Sequence, residues 1–111
     1  HNVQGFIRLA VAGQPLPALT MEILHGLNAE QAAHSAGVDR AGALELLRQN
    51  GAATAALLRS LSDAQLDTGT EFLGYPMTVE SLAQNALVGH TEEHLASIRS
   101  AVAPAIEATL L

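Results

Sequence analysis

Alanine and leucine dominate the chain, and this limits what it can fold into more than any other feature of the sequence. Only 3% of the residues are aromatic, so residue types that favour helices outnumber the β-branched and aromatic types that favour strands. The composition therefore predicts an all-α fold. Because the chain has 111 residues, 49% of them hydrophobic, we expect one domain over residues 1–111 with a small core.

Apolar residues at helical spacing predict three main helices. Gly13 stops the first helix, Val38 and Asp39 begin the second, and Thr78 caps the third, which Pro104 kinks or ends. The three predicted helices span residues 1–12, about 38–61 and 78 to about 104.

Shorter elements are predicted between these helices. Proline and glycine indicate a loop from Gly13 to Gly26, and a short helix follows from Asn28 to Gly37. A capping box at Ser62 starts a single turn, and residues 67–76 form an irregular connection, extended around Phe72. Gly51 lies inside the second main helix, where glycine is costly, and indicates close approach by a neighbour.

The first helix has a stop signal but no start signal. No capping residue precedes Val3, and the apolar stripe is already running at His1, so we expect this helix to begin before the chain does. Three such helices make an incomplete up-down four-helix bundle, because each broad apolar face needs two neighbours. The fourth helix is expected from preceding residues or from a second subunit, and a homodimer is the expected assembly.

Charge and cysteine content exclude several kinds of function. The net charge is −6 and the five basic residues, all arginine, are scattered, so we expect no nucleic-acid partner. The absence of cysteine excludes a disulfide frame, thiolate catalysis and a sulfur-ligated metal. No run of 18 apolar residues occurs, and residues 1–13 lack the features of a signal peptide, so we expect a cytoplasmic protein without membrane contact.

His90 and His94 carry most of the chemical information in the sequence. They lie four residues apart in a predicted helix, on the stripe expected to face inward. Side chains at this spacing lie about 5–6 Å apart at Cβ, so the two imidazoles can converge on one ion. Burying them without partners would cost several kcal/mol. The pair is therefore either a metal clamp or two histidines with ordinary hydrogen bonds.

The same segment matches H-x-x-E-H, an inverted zinc-protease signature with Glu93 as the base. We discount this interpretation, because such proteases need a further carboxylate ligand far downstream and only 17 residues follow His94. Glu93 remains a candidate catalytic residue, as a weak base or as an acceptor that orients an imidazole. It is equally well explained as a solvated charge. His25 and His34 are predicted to be surface residues rather than ligands.

The second half of the chain resembles the DinB/YfiT-like superfamily, which includes the metal-binding domain of mycothiol-dependent maleylpyruvate isomerase. The resemblance rests on three motifs in order: LSDAQL at Leu61–Leu66, MTVESL at Met77–Leu82 and HTEEHLASIR at His90–Arg99. It implies a four-helix bundle that holds zinc or nickel on three histidines. His90 and His94 match two of them, and His1 is either the third or follows it by about one turn.

This resemblance also implies a function. It suggests a metal-dependent enzyme in which a low-molecular-weight thiol, such as mycothiol, or water attacks a small electrophile. The ion would stabilise the thiolate that a cysteine-free chain lacks. The alternative is a non-catalytic, dimerising and stress-associated helical bundle in which the histidine pair is vestigial or structural.

Overall fold

The computed structural model describes residues 2–110, and these are mostly helical, which confirms the all-α class. A closed four-helix bundle stays a prediction. Within residues 2–110, no helix has a stretch both long and apolar enough to span a bilayer. The elements, in chain order, are α1 (Asn2–Val11), α2 (Met21–His34), α3 (Arg40–Arg59), α4 (Asp63–Leu66), β1 (Gly69–Phe72), β2 (Tyr75–Thr78), α5 (Val79–Ala83), a π-helical segment (Gln84–Gly89) and α6 (His90–Leu110).

Helix α1 ends as its sequence predicts. Gly13 adopts a positive φ of 71°, and its N–H donates to the carbonyl of Ala10 at 3.0 Å. The N–H of Gln14 donates to the carbonyl of Leu9 at 2.9 Å. These two bonds form a Schellman motif, which satisfies the last carbonyls of the helix.

Helix α2 is longer than the sequence predicts. It starts at Met21 rather than Asn28, because the Thr20 hydroxyl accepts a hydrogen bond from the N–H of Ile23 at 3.2 Å and caps the helix. Gly26 therefore lies inside the helix and does not end a loop. An interior glycine costs only about 1 kcal/mol, which the surrounding helix formers and a good cap can outweigh.

Helices α3 and α4 begin where their caps predict. The Asp39 carboxylate accepts from the N–H of Gly42 at 2.7 Å. Ser62 and Gln65 form both hydrogen bonds of a capping box. Among the described residues, Gly51 has no neighbour within 4 Å of the position that a Cβ would occupy, so the predicted close approach is wrong.

The connection after α4 is a β-hairpin, where the sequence predicts irregular chain. Strands β1 and β2 pair antiparallel, with Phe72 opposite Tyr75. The two residues between them, Leu73 and Gly74, have φ of 53° and 80°. Positive φ at both central positions is typical of a type I′ turn, whose twist matches that of paired strands.

Helix α5 continues through the π-helical segment into α6, and the junction residues Ala83, Gln84 and His90 have right-handed helical backbone angles. Thr78 caps α5 by accepting from the N–H of Ser81 at 3.1 Å, as predicted. Helix α6 runs through Pro104 to Leu110, so Pro104 does not end it.

The core is small and lies where α1 crosses α5. Partly buried residues from the end of α3, from α4 and from the hairpin pack against it. The rings of Phe6 and Phe72 lie 5.8 Å apart between centroids, and Gln4 Nε2 donates to Thr54 Oγ1 at 2.8 Å, so α1 also contacts the hairpin and α3. The buried hydrophobic residues are Ile7, Ala10, Val79, Leu82 and Ala83.

Candidate metal centre

The imidazoles of His90 and His94 meet at the start of α6. Their Nε2 atoms lie 3.0 Å apart, and the rings stand edge to face with centroids 4.4 Å apart. Without an ion, one Nε2–H donates a hydrogen bond to the other Nε2, so the two rings must be in complementary tautomers. The helix thus brings the two nitrogens as close as the i, i+4 spacing predicts.

The same geometry fits two ligands of one metal ion. Zinc–imidazole bonds are about 2.0–2.1 Å long, so an ion equidistant from nitrogens 3.0 Å apart would see them at an angle of roughly 94°. That angle is close to the right angle of neighbouring octahedral ligands. It is smaller than the tetrahedral angle of about 109°, which a separation of about 3.3 Å would give. A few tenths of an ångström therefore separate the pair from either geometry.

The π-helical segment determines which way the pair faces. In a regular α-helix, His90 and His94 would lie roughly 80° and 120° around the axis from Leu82. A π-helical turn takes up one extra residue, so the helix after Gly89 is rotated back by about 100°. The two histidines then lie within about 20° on either side of the Leu82 direction. Leu82 lines the cavity, whereas Ala83, on whose side a regular helix would place the pair, does not, so the π-helical segment turns the pair toward the cavity.

Both histidines are nevertheless exposed. The expectation that the pair is buried is wrong for this structure, because no described helix covers the stretch of α6 that follows the core. Their exposure weakens the argument from the cost of burial, since water can satisfy both rings. The convergence of the two Nε2 atoms is therefore the stronger argument for a metal.

A cavity of about 1150 Å³ lies beside the pair, between α1, α2, the hairpin and α6. Its apolar part includes Phe6, Phe72 and Leu82. Its polar part includes His90 and His94. An apolar pocket with a few convergent polar groups is the usual form of a small-molecule site, so the pair lies at a place where a substrate can reach it.

His25 and His34 also line this cavity, from its α2 wall. Both are exposed, as predicted, but the sequence does not indicate that they line the same cavity as the histidine pair. Their spacing of nine residues within α2 has no meaning by itself. The cap at Thr20 would have placed both on one helix, but residues nine apart lie about 180° apart around the axis, so the sequence gives no signal that both line one cavity.

Two other residues are predicted at the site, His1 and Glu93. His1 lies outside the described residues. Glu93 is exposed, and the cavity lining does not include it, so its catalytic role stays a prediction. Within residues 2–110, no group of three or more His, Asp or Glu side chains is close enough to hold a metal ion. The structure thus assembles two candidate ligands and leaves the remaining positions open.

Comparison with protein-family models, with curated proteins and with solved structures found no match. The resemblance to the DinB/YfiT-like superfamily stays a prediction.

Proposed function

We propose that the chain is a divalent-metal-dependent enzyme in which His90 and His94 hold zinc or nickel at the edge of the cavity. The observation that carries the proposal is the 3.0 Å separation of the two Nε2 atoms at the cavity wall. The metal suggested by the resemblance and the geometry of the pair agree, since imidazole suits both ions. The resemblance leaves open whether His1 holds the third position.

The bound ion would acidify a thiol or a water at neutral pH. Phe6, Phe72 and Leu82 would hold an apolar small-molecule electrophile beside it and exclude water from one side. Because the chain has no cysteine, the nucleophile has to come from outside, as a low-molecular-weight thiol or water. We therefore propose a thiol S-transferase or a related hydrolase. A thiol cosubstrate is kept reduced in the cytoplasm, which is the location we propose.

Metal content tests the first part of this proposal. The whole chain is purified and its bound zinc and nickel are measured by elemental analysis, alongside His90→Ala and His94→Ala. We expect about one ion per chain in the wild type and little in either variant, because one imidazole alone binds weakly. Less than stoichiometric metal in the wild type after incubation with zinc and with nickel would refute the proposal.

Turnover tests the second part. The zinc-loaded and nickel-loaded proteins are incubated with an apolar electrophile and with mycothiol, bacillithiol or glutathione, and thioether formation is followed by mass spectrometry. His90→Ala is the matched control, since it removes a ligand and leaves the cavity in place. Product at equal rates in wild type and His90→Ala would show that the metal is not involved.

A dimerising bundle is the second candidate, and one observation favours it. The accessible surface of 8197 Å² exceeds the roughly 5,800 Å² expected for a compact monomer of this mass by about 2,400 Å². The radius of gyration of 16.8 Å likewise exceeds the expected value of about 13 Å. Obligate homodimers bury about 1,000–2,500 Å² per subunit, so a second copy has enough surface to cover. The most exposed apolar residues of α3 and α6 are Leu46, Leu47, Leu95 and Ile98.

Light scattering at several concentrations tests the dimer. We expect twice the chain mass for the wild type and the chain mass for Leu47→Glu or Ile98→Glu, because a charge in an apolar interface is costly. Ser100→Glu adds the same charge to an exposed polar position of α6 and is expected to remain dimeric. A wild type that is monomeric at tens of micromolar would exclude a stable homodimer.

A further inference from the structure

We propose that two copies of the chain pair through an exposed apolar seam on α6, with the two helices running antiparallel. The seam consists of Thr91, Leu95, Ile98, Val102 and Ala105. It specifies the partner and the geometry of the dimer named above as the second candidate, and the proposal rests on that dimer rather than on the metal.

The large apolar residues of α6 among residues 90–105 are Leu95, Ile98 and Val102, and all three lie on one face. Their spacing of three and four residues is the a and d spacing of a coiled coil. The first and last seam residues continue this spacing. The other faces of this stretch carry charged or small residues, histidine and proline. The pattern is therefore that of a helix that packs against another helix.

No element in the described part of the chain covers this seam. Leu95, Ile98 and Val102 are 44–59% exposed, and the core and the residues packed against it include none of them. The Thr91 hydroxyl donates to the carbonyl of Leu87, so it needs no further partner inside an apolar contact. A single chain thus leaves apolar side chains in water along roughly 20 Å of helix. Association would bury them, which is favourable.

The charges beside the seam favour a second copy as the partner. Glu92 and Arg99 lie on the same flank of the seam, seven residues apart. Both are exposed, and neither forms an ion pair among the described residues of the chain. In a twofold pair of antiparallel helices, the same flank of each helix meets across the axis. Glu92 of each copy then faces Arg99 of the other, which gives two equivalent ion pairs.

The register that aligns the seam also aligns these charges. Packing Leu95 against Ile98 of the second copy places the twofold axis between residues 96 and 97 and gives the other seam residues a and d partners. Glu92 then lies about 3 Å along the helix axis from Arg99 of the other copy. This offset is within the reach of the two long side chains, so apolar packing and ion pairing agree on one register.

A parallel pair on the same seam lacks these ion pairs. It would place identical seam residues opposite each other, and the neighbour of Arg99 across the seam would be His94 of the second copy. An imidazole offers no opposite charge to a guanidinium. Charge therefore favours the antiparallel pair.

The dimer would leave the candidate metal centre accessible. The seam lies roughly 90° around α6 from the direction of His90 and His94, which line the cavity. Dimerisation is thus expected to be independent of metal binding, and His90→Ala should remain dimeric.

Charge reversal tests the pairing of Glu92 with Arg99. Light scattering of the whole chain at low ionic strength gives the dimer dissociation constant of the wild type, Glu92→Arg, Arg99→Glu and the double variant. Each single reversal puts like charges at both contacts and should raise the dissociation constant about tenfold. The double variant restores opposite charges and should dimerise as the wild type does. Glu93→Arg makes the same change on the opposite face of α6, so it is the matched control and should also dimerise normally.

Cysteine cross-linking tests the orientation separately, because the chain has no cysteine of its own. In the antiparallel pair, Thr91 of one copy lies beside Val102 of the other, whereas the two Thr91 residues lie roughly 17 Å apart along the axis. Disulfides need Cα atoms within about 7 Å. Under oxidation, Thr91→Cys mixed with Val102→Cys should therefore give covalent dimers of one chain of each, and neither variant should cross-link alone.

The two measurements separate failure of the dimer geometry from failure of the proposed function. A wild type that is monomeric at tens of micromolar refutes the dimer, and this geometry with it. A dimer in which the double reversal is no stronger than the single reversals, or in which Thr91→Cys cross-links alone, refutes the antiparallel pairing. A dimeric wild type that binds no metal refutes the proposed enzyme and leaves the seam in place. Circular dichroism checks that each variant folds, and all the substituted positions are exposed.

Discussion

Deletion of Val88 tests whether the π-helical segment directs the histidine pair toward the cavity. Val88 is 48% exposed, so its removal takes away little buried surface. With one residue fewer, the segment is expected to return to α-helical spacing, and the helix from Gly89 onward turns by about 100°. Little resists this rotation, since residues 90–102 are exposed. The spacing between His90 and His94 is unchanged.

The size of the displacement follows from helix geometry. Side chains reach about 5–6 Å from the helix axis, and a rotation of about 100° moves an atom at that radius by roughly 8–9 Å. Metal–ligand distances are held to within about 0.2 Å. The pair would then no longer face the cavity, so it could not share an ion with a further ligand there. We expect zinc affinity to fall at least 10–100-fold, to the level of a two-histidine site.

Zinc competition titration measures this loss, and deletion of Ser100 is the matched control. Ser100 is exposed and follows the pair in α6, so its removal shortens the same helix without turning His90 or His94. Circular dichroism and thermal melting report whether each deletion variant folds. Wild-type zinc affinity in a folded Val88 deletion variant would refute the reasoning, because the pair would then bind the ion independently of the direction it faces.

Three stability predictions follow from single residues. Gly51→Ala should raise the free energy of unfolding, measured in urea, by about 1 kcal/mol, because among the described residues an added methyl meets no atom within 4 Å. Gly42→Ala should not raise the free energy of unfolding, because its methyl would lie 3.0 Å from Asp39 Oδ1. Leu82→Ala should lower the free energy of unfolding by about 2–5 kcal/mol, because Leu82 is fully buried; a loss below about 1 kcal/mol in the same assay would contradict its place in the core. Leu73→Asn should raise it by about 1 kcal/mol, because Leu73 has a φ of 53° and type I′ turns prefer Asn-Gly; a lower melting temperature would contradict this.

Helix starts were the part of the fold most accessible from the sequence. Asp39, Ser62 and Thr78 each accept a hydrogen bond from the N–H three residues later. This signal involves only neighbouring residues, so it survives without knowledge of the tertiary structure. Where glycine competed with a cap, as at Thr20 and Gly26, composition predicted a loop and the cap prevailed.

The β-hairpin was not predicted from the sequence, because its turn lacks the usual turn residues. Its turn places Leu73, rather than asparagine or aspartate, at a positive φ, so the usual residue signal is absent. Leu73 also lines the cavity. Strain of this kind is often kept where a side chain is needed at a site. Leu73, whose identity made the turn unpredictable, therefore contributes to the candidate site.

In the candidate site too, features set by neighbouring residues were predictable from the sequence, and features set by tertiary packing were not. The spacing of His90 and His94 is a local property, and it predicted the close pair correctly. The presence of His25 and His34 in the cavity wall depends on where α2 lies, and no short sequence motif predicts that position. The exposure of the pair likewise depends on tertiary packing, because no described helix covers this stretch of α6.

The direction of the pair depends on residues that carry no chemistry. An i→i+5 hydrogen-bonding pattern has no distinctive residue type, so the sequence of Gln84–Gly89 does not predict the extra residue of the π-helical segment. In a straight helix, the stripe that starts at Leu82 would turn away before reaching His94, by roughly 120°. The pair faces the cavity because the π-helical segment directly before it contains one residue more than an α-helical turn would. Metal binding at this site should therefore be as sensitive to the length of residues 84–89 as to either histidine.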